Sequence, residues 1–118
     1  MPHPLVVHFR KSPHDVFIGR TRQGNRWSNP FTDKEGDTLA LVRVGSRAEA
    51  IEAYREWLAG RRTVPGLVPP TRAEIVRELR GRVLGCWCAP KACHGDVLAA
   101  IANDEPETTG RGQYRMGI

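Results

Sequence analysis

The chain is nearly devoid of lysine: only Lys11, Lys34 and Lys91 occur among its 18 basic residues, and the rest are arginine. Cysteine is scarce too. The three cysteines are odd in number and crowded into one segment, which argues against the paired disulfide framework of small secreted domains and for a reducing compartment. No apolar run approaches the ~20 residues that span a bilayer, so no membrane span is expected. The opening "MPHPLVVHFRK" lacks the basic-then-apolar layout of a secretory signal. These absences together predict a cytoplasmic protein without a membrane partner.

What is present fits one domain. The chain has 118 residues, 40% of them hydrophobic, enough for a single core. The net charge is +5. Arginine carries a planar fork that matches phosphate and carboxylate, so an arginine-rich surface predicts an anionic partner, a nucleotide or nucleic acid. The plainer reading, a solvated arginine-rich surface, stands beside it.

"PLVVHFR" is rich in β-branched and aromatic residues and predicts a strand over Leu5–Arg10. "KSPHD" reads as a turn and "VFIGR" as a second short strand. "TRQGNRWSNPFTDKEGD" has turn residues and no periodicity, and reads as a long loop. "TLALVRV" is a candidate third strand. "SRAE" at 46–49 and "TRAE" at 71–74 both match a capping box, a hydroxyl residue followed three positions on by glutamate. The first helix places Ala50, Ile51, Tyr54, Trp57 and Leu58 on one face and stops near Gly60. "TVPGLVPP" is a connector, since its prolines end a helix. The second helix buries Ile75 and Leu79 and ends at Gly81, a left-handed cap. "RVLGCWC" reads as a buried strand, "APKA" as a tight loop and "CHGDVLAAIAN" as a helix with Val97, Leu98 and Ile101 inward.

This order predicts an α/β fold: a small single-domain sandwich with a short mixed sheet and about three helices. It closes in a strand–loop–helix unit that carries the Cys/His cluster. Residues 1–103 form the domain and 104–118 a tail without a core pattern. Ligands in such folds sit beyond the carboxyl ends of strands, here near Arg10, Lys11, Gly19, Arg20 and Cys88 to Cys93.

The stretch "GCWCAPKACHGD" at 85–96 holds every cysteine in the chain. As a parts list, Cys86, Cys88, Cys93 and His94 make a Cys3His zinc set. The spacing resists this. Residues two apart in a strand are about 6.6 Å apart, neighbours on a helix point about 100° apart, and the Cys-x2-Cys spacing of structural zinc sites is missing. The second reading uses the helix start. Unpaired N–H groups there favour a Cys93 thiolate or a bound phosphate. His94 is then an acid, a base or a donor, and Asp96 either orients it or binds the helix N–H groups. Gly95 costs about 1 kcal/mol relative to alanine in a helix, which close approach of a ligand would explain. The plain reading makes Cys86 and Cys88 small buried hydrophobes.

Arg10, Lys11, Arg20 and Arg26 are candidates to surround a phosphate, with Trp27 and Phe31 to stack a base or sugar. Alternatively, the aromatics are the loop's own packing.

The segments "VVHFRK", "DVFIGR", "WSNPF", "AIEAYREWL" and "GCWCAPKACHGDVLAAIAN" resemble a family of phage and bacterial proteins named the domain of unknown function 4326. The family's usual Trp-Gly-Asn-Pro-Phe loop has Ser28 in place of its glycine here. The resemblance implies that Arg10, Lys11, Asp15, Gly19, Arg20, Asn29, Cys88, His94 and Asp96 belong to the family pattern. It implies no reaction. The Cys-His ending is also similar to that of the domain of unknown function 488, which supports an α/β fold.

Three functions follow as expectations. The first is a nucleotide or nucleic-acid phosphate-binding domain. It has a pocket joining Arg10, Arg20, Asn29 and the Cys93–Asp96 helix start, with Cys93, His94 and Asp96 as catalytic candidates if it is an enzyme on a nucleotide or nucleoside. Lys11, Asp15, Arg26 and Trp27 complete its ligand-binding set. The alternative is a non-enzymatic zinc-stabilised module that binds nucleic acid or protein, with Zn2+ on Cys86, Cys88, Cys93 and His94. The third is a thiol redox protein, which lacks the familiar Cys-x-x-Cys spacing.

Overall fold

The computed structural model describes residues 6–34, 40–89 and 91–103. The expected Leu5–Arg10 strand is β1, Val6–His8, with Leu5 outside the described residues. "VFIGR" gives β2, Val16–Phe17. Inside the expected loop, Phe31–Thr32 forms β3, and the end of "TLALVRV" forms its partner β4, Val42–Arg43. Three helices and one more strand follow: α1 at Arg47–Leu58, α2 at Arg72–Leu79, β5 at Leu84–Cys86 and α3 at His94–Asn103. The expected tail, 104–118, lies outside the described residues.

Local chemistry sets the helix ends. The Thr71 hydroxyl accepts from the Glu74 N–H at 3.1 Å, and the Glu74 carboxylate accepts from the Thr71 N–H at 2.9 Å, a complete capping box. Ser46 accepts from the Glu49 N–H at 3.1 Å. Gly60 and Gly81 follow α1 and α2 with φ of +82° and +75°, a conformation that costs glycine nothing.

The sheet is not mixed. β5 inserts between β1 and β2, and both pairings are parallel; β3 and β4 are parallel too. "KSPHD" therefore does not close a hairpin: β1 and β2 are not neighbours. The chain returns through it to start β2 alongside β1, leaving a gap that β5 fills after two helices. β5 is the central strand, and Leu84, Gly85 and Cys86 are all buried.

The sheet has two unlike faces. Val6 and Leu84 pair in one row and are buried. Val7, Gly85 and Phe17 form the next row and point the other way, because side chains alternate along a strand. The first face packs against α3: a Cβ on Gly95 would meet Ile18 Cδ1 at 2.7 Å and Val6 Cγ1 at 2.9 Å. α3 also packs on α1 and α2. Tyr54, Ile75, Leu79, Val97 and Leu98 fill this layer in one core. The second face carries the rings of Phe9, Phe17, Trp87 and His14. Among the described residues no helix is long and apolar enough to cross a membrane.

Candidate functional site

A half-open cleft of about 70 Å³ lies beyond the carboxyl ends of β2 and β5. Arg20 enters it from β2, and Cys88 from β5. Asn29 and Thr32 line it from the loop and β3, Arg47 from the first turn of α1, and Cys93 and His94 from the start of α3. Asp33 lies on its exposed rim. The sequence foresaw the meeting of Arg20, Asn29, Cys93 and His94. It missed Arg47 and Thr32, whose signals are slight: Arg47 follows the Ser46 cap, and Thr32 follows the Asn29-Pro30-Phe31 loop.

Arg20 is the central charge. One guanidinium N–H donates to the Asn29 carbonyl at 2.7 Å, and no carboxylate pairs with it among the described residues. Burial lowers its pKa from the usual guanidinium range, with Cys88 acting in the opposite sense. Arginine nevertheless stays charged. A half-buried cation with no carboxylate partner among the described residues is costly until an anion arrives.

Asn29 helps build the wall of the cleft. Its amide donates to the Ala50 carbonyl at 3.1 Å and its side-chain oxygen accepts from the Phe31 N–H at 2.9 Å.

The start of α3 is capped by its own side chains. The Cys93 N–H donates to Asp96 Oδ2 at 3.1 Å, and the Gly95 N–H donates to Cys93 Sγ at 3.3 Å. Asp96 thus binds a helix N–H, the second of the two roles foreseen, and the open amide cradle expected for a phosphate is largely filled from within. Close approach does explain Gly95, but the approaching groups are Ile18 and Val6, not a ligand.

His94 is buried and pinned. Its Nε2 lies 2.9 Å from the Ile18 carbonyl, which can only accept, so Nε2 carries the proton. Tyr54 meets the ring edge-on at 5.0 Å between centroids. Burial lowers the His94 pKa to about 4; the Ile18 carbonyl opposes that shift and the Arg20 charge adds to it. The ring is neutral at pH 7. Burial, then Cys93, pushes the Tyr54 phenol well above its ordinary value. The Tyr54 hydroxyl donates to the Trp27 carbonyl at 2.8 Å.

The two buried cysteines meet, with Cys86 Sγ 3.2 Å from Cys93 Sγ. The Cys93 thiol and the Ala89 and Cys88 N–H groups point at Cys86 and bring its pKa to about 6 against the opposing effect of burial. Sharing that proton, together with burial, pushes Cys93 upward. The zinc quartet is not assembled: among the described residues no three of His, Cys, Asp and Glu converge as metal ligands would. His94 Nε2 faces a carbonyl instead.

The remaining candidates lie elsewhere. Arg26 pairs with Glu74 at 3.1 Å and Glu78 at 3.0 Å on α2, and its guanidinium sits 4.6 Å from the Trp27 ring centroid. Trp27 is core, 6% exposed, and offers no stacking face. Asp15 Oδ2 accepts from the Val83 N–H at 2.8 Å and ties β2 to the start of β5. Lys11 is exposed. Arg10 does not line the cleft; its guanidinium lies over Phe9 and Trp87 on the second face.

Comparisons with known proteins cover most of the described chain. A family described as Domain of unknown function (DUF4326) matches residues 7–104. A protein of Enterobacteria phage T4, described as "Uncharacterized 12.4 kDa protein in nrdA-td intergenic region", is 40% identical over 98 residues, covering 83% of this chain and 76% of the phage protein. No solved structure matches. The family match takes in all but the first residue of β1, every later element through α3 and every residue lining the cleft, so the chain belongs to the DUF4326 family.

Proposed function

We propose that the chain binds a phosphate-bearing ligand, a nucleotide or a nucleic-acid phosphate, in the Arg20 cleft. The observation that carries this reading is the half-buried Arg20 guanidinium with no carboxylate partner among the described residues. Its remaining N–H donors suit the oxygens of a phosphate. Arg47, whose guanidinium reaches the Ala92 carbonyl at 3.4 Å, supplies a second positive group on the same wall. The cleft, about 70 Å³ and open to solvent on one side, admits a phosphate group. Three free thiols suit the cytoplasm, where such ligands are found.

The geometry supports binding more than proton transfer. His94 is neutral near pH 7 with Nε2 committed to Ile18, and Asp96 is committed to the Cys93 N–H. Calorimetric titration with pyrophosphate and with nucleoside diphosphates tests the reading. Arg20→Gln is expected to weaken both by roughly tenfold or more, the size of a lost charge-assisted hydrogen bond. Equal affinity in wild type and variant overturns it.

A further inference from the structure

At the ends of β2 and β5, successive residues serve opposite sides. Arg20 and Cys88 line the cleft, while Gly19 and Trp87 belong to the second sheet face. That face bears a ring cluster. Phe9 lies 4.4 Å from Trp87 and 5.0 Å from Phe17, centroid to centroid, and His8 stacks on Phe9 at 5.5 Å. Two glycines seat these rings. A Cβ on Gly19 would strike Phe17 at 2.5 Å and Trp87 at 2.9 Å, and one on Gly85 would strike His14 at 2.7 Å.

Trp87 is 52% exposed, whereas Trp27 and Trp57 are 6% and 3%. Cations border it. The Arg10 guanidinium sits 5.1 Å from the Trp87 ring and 5.4 Å from Phe9, and forms no ion pair among the described residues. Lys11 and Lys91 are exposed on the segments that follow β1 and β5. Neither residues 6–14 nor 82–95 include a carboxylate. A hydrophobic protein interface would surround the ring with apolar groups. Here a π face adjoins positive charge, the pairing that binds unpaired bases and their phosphates.

We propose that Trp87, met edge-to-face by Phe9 and with the Arg10 guanidinium over its ring, is a stacking platform for an unpaired base of single-stranded nucleic acid. The proposal rests on the phosphate reading of the cleft for its phosphate half and on the rings for its base half. Trp87 is an exposed ring next in sequence to Cys88, which lines the cleft, so a strand whose phosphate enters the cleft has this ring beside it. Lys11 and Lys91 add positive charge on the segments that follow β1 and β5.

The test is binding of a labelled oligodeoxythymidylate, read by anisotropy and by tryptophan quenching, beside calorimetry with pyrophosphate. Because the other two tryptophans are buried, stacking should quench the Trp87 emission. Trp87→Ala is expected to weaken oligonucleotide binding roughly tenfold, and Trp87→Tyr to restore most of it. Pyrophosphate affinity should not change in either variant. Wild-type oligonucleotide affinity in Trp87→Ala, with its melting temperature unchanged, overturns the proposal. So does binding of thymidine monophosphate as tight as that of the oligonucleotide, or quenching by lipid vesicles or apolar peptides instead. If Trp87→Ala acts as expected but pyrophosphate does not bind, the platform stands and the cleft reading fails.

Discussion

Cys93 and Asp96 cap one helix between them. The Cys93 N–H donates to the Asp96 carboxylate at 3.1 Å, and Cys93 Sγ accepts from Gly95 at 3.3 Å. The Asp96 half matches a capping box with aspartate in place of glutamate, while the thiol accepts from Gly95, one residue before the position a capping box uses. Both residues are buried, so the bonds form where water cannot replace them. Asp96→Ala leaves the Cys93 N–H unpaired and is expected to cost about 1–2 kcal/mol of unfolding free energy, measured in urea. A change within experimental error would show that the cap is not stabilising.

Gly95→Ala sets helix propensity against packing. Alanine gains about 1 kcal/mol in a helix. The added methyl meets Ile18 and Val6 side chains under 3 Å away, in a core that overpacking destabilises by about 1–3 kcal/mol. Packing wins, so the variant should melt lower than wild type. A higher melting temperature would mean that α3 sits farther from the sheet than described.

His94 makes stability depend on pH. Its folded pKa of about 4 lies below its ordinary 6.5, so the unfolded chain takes up a proton that the folded chain refuses. The stabilisation is present above pH 6.5 and is lost as pH falls to about 4, an amount on the order of 3 kcal/mol. Urea denaturation across this window should show the decline, and His94→Gln should flatten it. The same slope in both proteins would assign the decline to other groups.

The Cys86–Cys93 pair should release one proton early. In a Cys88→Ser background, thiolate absorbance is expected to rise through pH of about 6 and to vanish in Cys86→Ser. Cys86 then stabilises the fold above the ordinary thiol value of 9.0, and this contribution is lost as pH falls through about 6. A first rise only above the ordinary thiol range would contradict the shared proton.

What could be read in the sequence was local. The caps at Ser46 and Thr71 were legible because the bonding partners are three residues apart. Gly60 and Gly81 were legible because their conformation is a property of one residue. The parallel order β1-β5-β2 was not, since β5 reaches its place from a position late in the chain. β3 was hidden because its strand character comes from pairing with β4, not from its own two residues. Trp27 resembled a stacking ring because its burial in the core comes from elements distant in sequence. Arg26 looked free until Glu74 and Glu78 came into place on α2. The site was half legible. Strand ends marked Arg20 and Cys88, while Arg47 and Trp87 acquire meaning only from the folded arrangement.

If Arg20 holds an anion in the cleft, heteronuclear NMR of the labelled protein, titrated with pyrophosphate at low ionic strength, will show it. Saturable shifts are expected at the Arg20 side-chain N–H and at the amides of Asn29, Arg47 and His94, absent in Arg20→Gln. Shifts confined to exposed arginines such as Arg22 and Arg82, rising without saturation, would contradict it.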